Sequence, residues 1–91
     1  MTPADITAAL ASLPAWRCDG RSIAREFRFP DFDATMAFVN AVAAIARRQD
    51  HHPDLEVGYA RVRVSYTSHD VGGLSARDFA AAAAVDRLPG Q

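Results

Sequence analysis

The chain has three histidines. His51 and His52 are adjacent, and His69 follows in Ser68-His69-Asp70. Imidazole is the side chain that titrates nearest neutrality, so it can both give and take a proton under working conditions. Between the pair and the third histidine lies Leu55 to Tyr66, the strongest strand signal in the sequence, in which Val62, Val64 and Tyr66 alternate with Arg61, Arg63 and Ser65. A hairpin here that gathered His51, His52 and His69 around one hollow would form a small acid–base site. Asp50, Asp70 or Asp78 could then hold an imidazole in one tautomer.

Two other chemistries are open to these residues. Three imidazoles could bind zinc with one open position, but consecutive residues of an extended segment point to opposite faces, so His51 and His52 would seldom share an ion. The sequence also lacks the His-x-His, His-x3-His and paired-cysteine patterns of metal sites. A serine or cysteine nucleophile has no support either: Gly-x-Ser-x-Gly is absent, and Cys18 lies far away in sequence. Taken one at a time, the histidines also have structural readings. His51 and His52 would end a helix favourably, and His69 would sit on an edge strand.

The elements that must position these residues follow from local signals. Thr2-Pro3-Ala4-Asp5 predicts a helix start, with Ile6, Ala9, Leu10 and Leu13 at helical spacing until Pro14 stops it near Leu13. Trp16 and Cys18 lead to the turn dipeptide Asp19-Gly20. Ile23, Phe27 and Phe29 then share one face of a second strand, with Arg25 interrupting them.

Asp31 is the predicted N-cap of a long helix with two apolar stripes. One holds Phe32, Met36, Val39 and Ala43, the other Phe38, Val42 and Ile45. An arc that wide suits a helix touching both its own sheet and a partner. Arg47 and Arg48 complement its C-terminus, and Pro53 forbids continuation. Gly58-Tyr59-Ala60 is the predicted turn of the second hairpin, and strict alternation carries His69 to the strand's end on the face of Ser65 and Thr67. After a flexible Gly72-Gly73 loop, Ser75 and Asp78 form a capping box for a last helix running through Phe79, Val85 and Leu88 to Pro89-Gly90. The order α-β-β-α-β-β-α predicts an α+β fold: a four-stranded antiparallel sheet with three helices on one face.

Ninety-one residues suffice for one domain, spanning 1–91, with a thin core for which self-association is a cheap supplement. The apolar share of 49% and charged share of 23% are those of an ordinary soluble domain, and a net charge of −1 gives no electrostatic reason to bind nucleic acid or an anionic membrane. A lone cysteine, no signal-peptide pattern and no apolar run long enough to span a bilayer lead us to expect a cytoplasmic protein.

The string Asp50-His51-His52-Pro53, then Tyr59, Ser68-His69 and Gly73-Leu74-Ser75-Ala76-Arg77-Asp78, resembles the signature of the pterin-4a-carbinolamine dehydratases, also known as dimerisation cofactors of a homeodomain transcription factor. The likeness extends upstream through Phe38 and Phe27-x-Phe29 to Trp16. It implies the family's α+β fold, assembled into homodimers or homotetramers through sheet edges and helices. It also implies dehydration of a 4a-hydroxytetrahydropterin to the quinonoid dihydropterin, with neither metal nor redox cofactor.

By the same resemblance His51, His52 and His69 are catalytic. His52 and His69 would transfer protons and His51 would bind or polarise the pterin. Asp50 and Asp78 match acidic residues of that site, although Asp78 has helix capping as its competing role. Arg77 follows the same motif, and Trp16 would flank the pterin ring unless the core claims it. Two positions depart from the family pattern. Arg47 stands where glutamate is usual, which leaves a related pterin-like substrate open. Ala60 stands where many members have asparagine in a positive-φ turn. A non-enzymatic partner-binding protein is the alternative reading.

Overall fold

The computed structural model describes residues 1–89. Its elements are α1 (Pro3–Leu10), β1 (Arg17–Asp19), β2 (Ser22–Arg28), α2 (Phe32–Gln49), β3 (Asp54–Val57), β4 (Arg61–Tyr66), a 3-10 turn (His69–Val71) and α3 (Ala76–Asp86). The strands make one antiparallel sheet in the order β1-β2-β4-β3, and the helices cover one of its faces. This is the α+β arrangement that the sequence pattern predicts.

The alternation along β4 sets the two faces. Val62, Val64 and Tyr66 are wholly buried, while Arg61, Arg63 and Ser65 face the other way. Direct pairing of Val62 with Phe27, Tyr66 with Ile23 and Val64 with Leu55 brings those partners to the covered face. Phe38, Val42, Ile45 and Ala46 of α2 and Phe79, Ala81, Ala82 and Val85 of α3 close the core from above. Ile6, Ala9 and Leu10 of α1 pack at its edge. Arg25 points into the covered side without being stranded: its guanidinium lies 4.2 Å from the centre of the Phe27 ring and 2.7 Å from Asp86 Oδ1.

The opposite face of the sheet is a lattice of charge. Arg63 reaches Glu56 at 3.5 Å and Asp19 at 3.6 Å, and Arg61 reaches Glu26 at 3.7 Å. Such exposed pairs contribute only about 0.2–1 kcal/mol each, so they keep this face wet rather than hold the fold together. On α2, the stripe of Phe38, Val42 and Ile45 is the buried one. Phe32 is exposed, and Met36, Val39 and Ala43 are half-buried.

Four local expectations change. Helix α1 ends at Leu10 rather than near Leu13, because the chain tightens into i→i+3 turns (Ser12 N–H to Ala9 O, Leu13 N–H to Leu10 O) that rotate Leu13 into the core. β4 stops at Tyr66, so His69 is not a strand residue. Reciprocal backbone bonds between Ser68 and Gly73 close a loop around the 3-10 turn, with Gly72 in the left-handed region at φ +68° that only glycine adopts without cost. Helix α3 ends at Asp86, and Gly90 lies outside the described residues. The Gly58–Ala60 connection is closed by a Gly58 N–H to Arg61 O bond of 2.7 Å and uses no positive φ, so Ala60 fits without strain.

Candidate active site

Helix α2 delivers the histidine pair. Its C-cap is Asp50, at φ +49° and ψ +44°, a left-handed conformation that aspartate tolerates better than most residues. That turn ends the helix, with the His51 N–H bonded back to Ala46 O at 3.2 Å. His51 then folds inward beside α3, while His52 is exposed.

On α3 the capping box performs two tasks. The Asp78 carboxylate is fully buried. Its Oδ2 accepts the Ser75 N–H at 2.9 Å, as an N3 capping residue should, and also accepts the Ser68 hydroxyl at 2.9 Å. Its Oδ1 lies 2.6 Å from His51 Nε2. The His51 ring stacks on Tyr66 with centroids 5.6 Å apart and planes 17° apart, and its side chain keeps 10% of its exposure. The result is an oriented imidazole–carboxylate pair in a nearly dry setting, where charge-assisted hydrogen bonds are strong.

A 230 Å³ hollow opens beside this pair, lined by Gln49, His51, Arg77 and Ala80. Arg77 is tied to Asp70 of the 3-10 turn at 2.5 Å, and that hydrogen bond holds the Asp70 carboxyl below its usual range. A larger hollow of 360 Å³ lies elsewhere, among Arg17, Asp19, Arg25, Glu26 and Arg63. It contains no histidine, and Arg25 and Arg63 are already engaged with Asp86, Asp19 and Glu56. Size alone does not mark the site.

Of the residues named from the sequence, His51, Asp78 and Arg77 come together. The three imidazoles do not line one hollow: His52 is exposed beyond the helix, and His69 is exposed on the 3-10 turn. Asp50 is exposed and serves as the helix cap. Trp16 is a core residue, 3% exposed, with its ring against Phe27 and Tyr66 and its Nε1–H donated to Asp86 Oδ1 at 2.8 Å. Among the described residues no group of three or more His, Cys, Asp or Glu side chains is placed to hold a metal ion.

From the sequence alone, Tyr66 is only an inward strand residue and Ser68 only a neighbour of His69. The available signal was the position of Tyr66, a polar-tipped inward residue at the strand end that leads into the histidine loop.

The Tyr66 hydroxyl is buried and finds no hydrogen-bond partner among the described residues. Burial, with the Asp78 charge adding to it, pushes the phenol from 10.0 up to about 12. The consequence has a definite sign. Between pH 10 and about 12 the unfolded chain releases a proton that the folded chain retains, so stability falls as pH rises through that window. Tyr66→Phe removes this term. Its denaturation midpoint should therefore fall less steeply than that of the wild type above about pH 10, and chemical denaturation across that range measures it. Parallel profiles for the two proteins would contradict the assignment.

A small α+β protein with a histidine held by a buried aspartate at the junction of two helices is the class that the fold and site define. The chain matches the family described as Pterin 4 alpha carbinolamine dehydratase over residues 1–88, and it belongs to that family. A protein of Nitrosospira multiformis, whose name assigns it provisionally as a pterin-4-alpha-carbinolamine dehydratase, is 50% identical over 84 residues, covering 92% of this chain and 74% of that one. The crystal structure of a transcriptional coactivator/pterin dehydratase from Brucella melitensis superposes with a TM-score of 0.92 at 33% identity, covering 99% of this chain and 98% of that one. A pterin dehydratase-like protein identified as a RuBisCO assembly factor in the alpha-carboxysome superposes with a TM-score of 0.71 at 29% identity, over 85% of this chain and 92% of that one.

Proposed function

We propose that the chain is a hydro-lyase that dehydrates a 4a-hydroxytetrahydropterin to quinonoid dihydropterin and water. The observation that carries this reading is the contact of half-buried His51 with buried Asp78 at 2.6 Å beside an open hollow, in a chain of this family. The reaction asks little beyond proton handling. A base removes the proton from ring N5, the N5 electron pair forms the C4a=N5 bond, the C4a–O bond breaks, and an acid protonates the departing oxygen as water. Imidazoles suit both steps, each positioned transfer contributing about 10²–10⁴-fold. His51, His52 and His69 are the proposed participants. Arg77 on the rim is a candidate donor to the pterin carbonyl.

We place the protein in the cytoplasm as a homodimer or homotetramer. No helix among the described residues is long and apolar enough to cross a membrane. The test is a stopped-flow assay on 4a-hydroxytetrahydropterin generated in place by an aromatic amino acid hydroxylase. Added chain should accelerate dehydration by orders of magnitude over the spontaneous rate, and an unchanged rate would end the proposal.

One observation favours a second reading. The outer side of α2 carries an apolar hollow of 340 Å³ lined by Phe29, Ala34, Ala37, Phe38, Ala41, Leu88 and Pro89. A protein-binding role of the kind named for the RuBisCO assembly factor would use such a surface, and it would survive loss of His51.

A further inference from the structure

The capping box of α3 contains a hydrogen-bond order that can be worked out proton by proton. As a carboxylate, Asp78 can only accept. Its Oδ2 takes the backbone N–H of Ser75 and the single hydroxyl proton of Ser68, both at 2.9 Å. Ser68 has then spent its proton, so in the 2.7 Å contact between the two hydroxyls Ser75 Oγ donates and Ser68 Oγ accepts. With Oδ2 occupied, Oδ1 is left for His51, and Nε2 must carry the proton it donates across 2.6 Å.

The groups facing the His51 ring are therefore Asp78 from α3 and the stacked Tyr66 from β4, with Arg77 beside it on the wall of the hollow. Among the described residues nothing bonds Nδ1.

We propose that Ser68 and Ser75 are positioning residues that occupy Asp78 Oδ2 and aim Oδ1 at His51, so that the acceptor-only carboxylate locks His51 as its Nε2–H tautomer and leaves Nδ1 as the nitrogen that exchanges a proton with substrate. The catalytic part of this rests on the dehydratase reading above; the tautomer lock does not. In the reaction Nδ1 takes the proton from pterin N5, Asp78 balances the imidazolium so formed, and a separate acid protonates the departing 4a-oxygen.

The lock makes a sharp statement about Asp78→Asn. Ser75 N–H is an obligate donor and Ser68 a second one, so both require the amide oxygen. That turns the amide NH₂ toward His51, which must then accept at Nε2 and carry its proton on Nδ1. The same exchange in serine proteases, a worked case in general enzymology, costs about 10⁴-fold through the wrong tautomer.

The experiment is long-range ¹H–¹⁵N spectroscopy of the full chain labelled at histidine nitrogens, at a pH high enough to leave imidazoles neutral, alongside dehydration kinetics. The wild type should show His51 protonated on Nε2. Asp78→Asn should show it protonated on Nδ1 and lose about 10²–10⁴-fold in kcat with little change in KM. Ser68→Ala should keep the Nε2–H signal, because the carboxylate still only accepts, but lower kcat about tenfold by freeing the carboxylate to rotate, and Ser68→Thr should restore the wild-type rate. Helix capping alone moves none of these signals.

Retention of Nε2–H in Asp78→Asn overturns the lock, and an unchanged kcat in Ser68→Ala overturns the positioning role of Ser68. The predicted tautomers in a chain that does not dehydrate the pterin would support the lock and overturn the functional reading instead.

Discussion

Alanine in place of His51 should slow dehydration about 10²–10⁴-fold while the protein still folds. The rate effect follows from the loss of the one imidazole that is both oriented by a buried carboxylate and open to the hollow. The fold should survive because Asp78 keeps its other two partners, Ser75 N–H and Ser68 Oγ–H, so α3 stays capped. The stability cost is the lost stacking on Tyr66 and one hydrogen bond, about 1–3 kcal/mol together. Stopped-flow rates measured beside a thermal melt separate the two effects, and a folded variant with wild-type rates would remove His51 from the mechanism. His52→Ala and His69→Ala provide the contrast. Both side chains are exposed, so any fall in rate there reports on chemistry rather than folding. If they take part as proposed, each falls by orders of magnitude with its melt unchanged.

The second large effect is on stability. Phe27→Ala should cost about 3–5 kcal/mol. Phe27 is 3% exposed, and its ring meets Trp16 at 6.3 Å, Phe38 at 4.6 Å and the Arg25 guanidinium at 4.2 Å. It thereby joins the segment before β1 to α2 across β2. Truncation would open a cavity bounded by the two rigid rings of Trp16 and Phe38 and by the Arg25 guanidinium, which is held by Asp86, so it could not easily collapse. Domains of this size are stable by only about 5–15 kcal/mol, so the loss is a large fraction of the whole. Urea unfolding checks it; a cost under 1 kcal/mol would show that the rings repack more freely than their geometry suggests.

The parts of the fold that were legible in the sequence are those that local chemistry decides. Asp31 caps α2 by accepting the Ala34 N–H at 2.8 Å, Thr2 and Asp5 cap α1 reciprocally, and the alternation on β4 divides the sheet into a dry and a wet face. The pairing of Ser75 with Asp78 was legible for the same reason, since three-residue spacing at a helix start has few other outcomes. Contacts between elements distant in sequence were not legible. His51 meets Asp78 only because a left-handed cap at Asp50 turns the chain inward just after α2, and a φ of +49° at an aspartate has no reliable sequence signature. The alternation that would carry His69 onto a strand stops at Tyr66. The Ser68–Gly73 bridge that ends the strand depends on Gly72 adopting φ +68°, which the Gly72-Gly73 pair permits without requiring. Trp16 could equally have flanked a ligand. It lies in the core because Asp86, seventy residues away in sequence, supplies its acceptor.

Asp78 is both the cap that starts α3 and the group that aims His51, and this bears on how relatives of the chain should be read. A descendant that abandoned chemistry for an assembly role would still need an acceptor there to begin its last helix. Finding aspartate at this place in a genome survey is therefore poor proof of an enzyme, and the imidazole opposite it is the more diagnostic character.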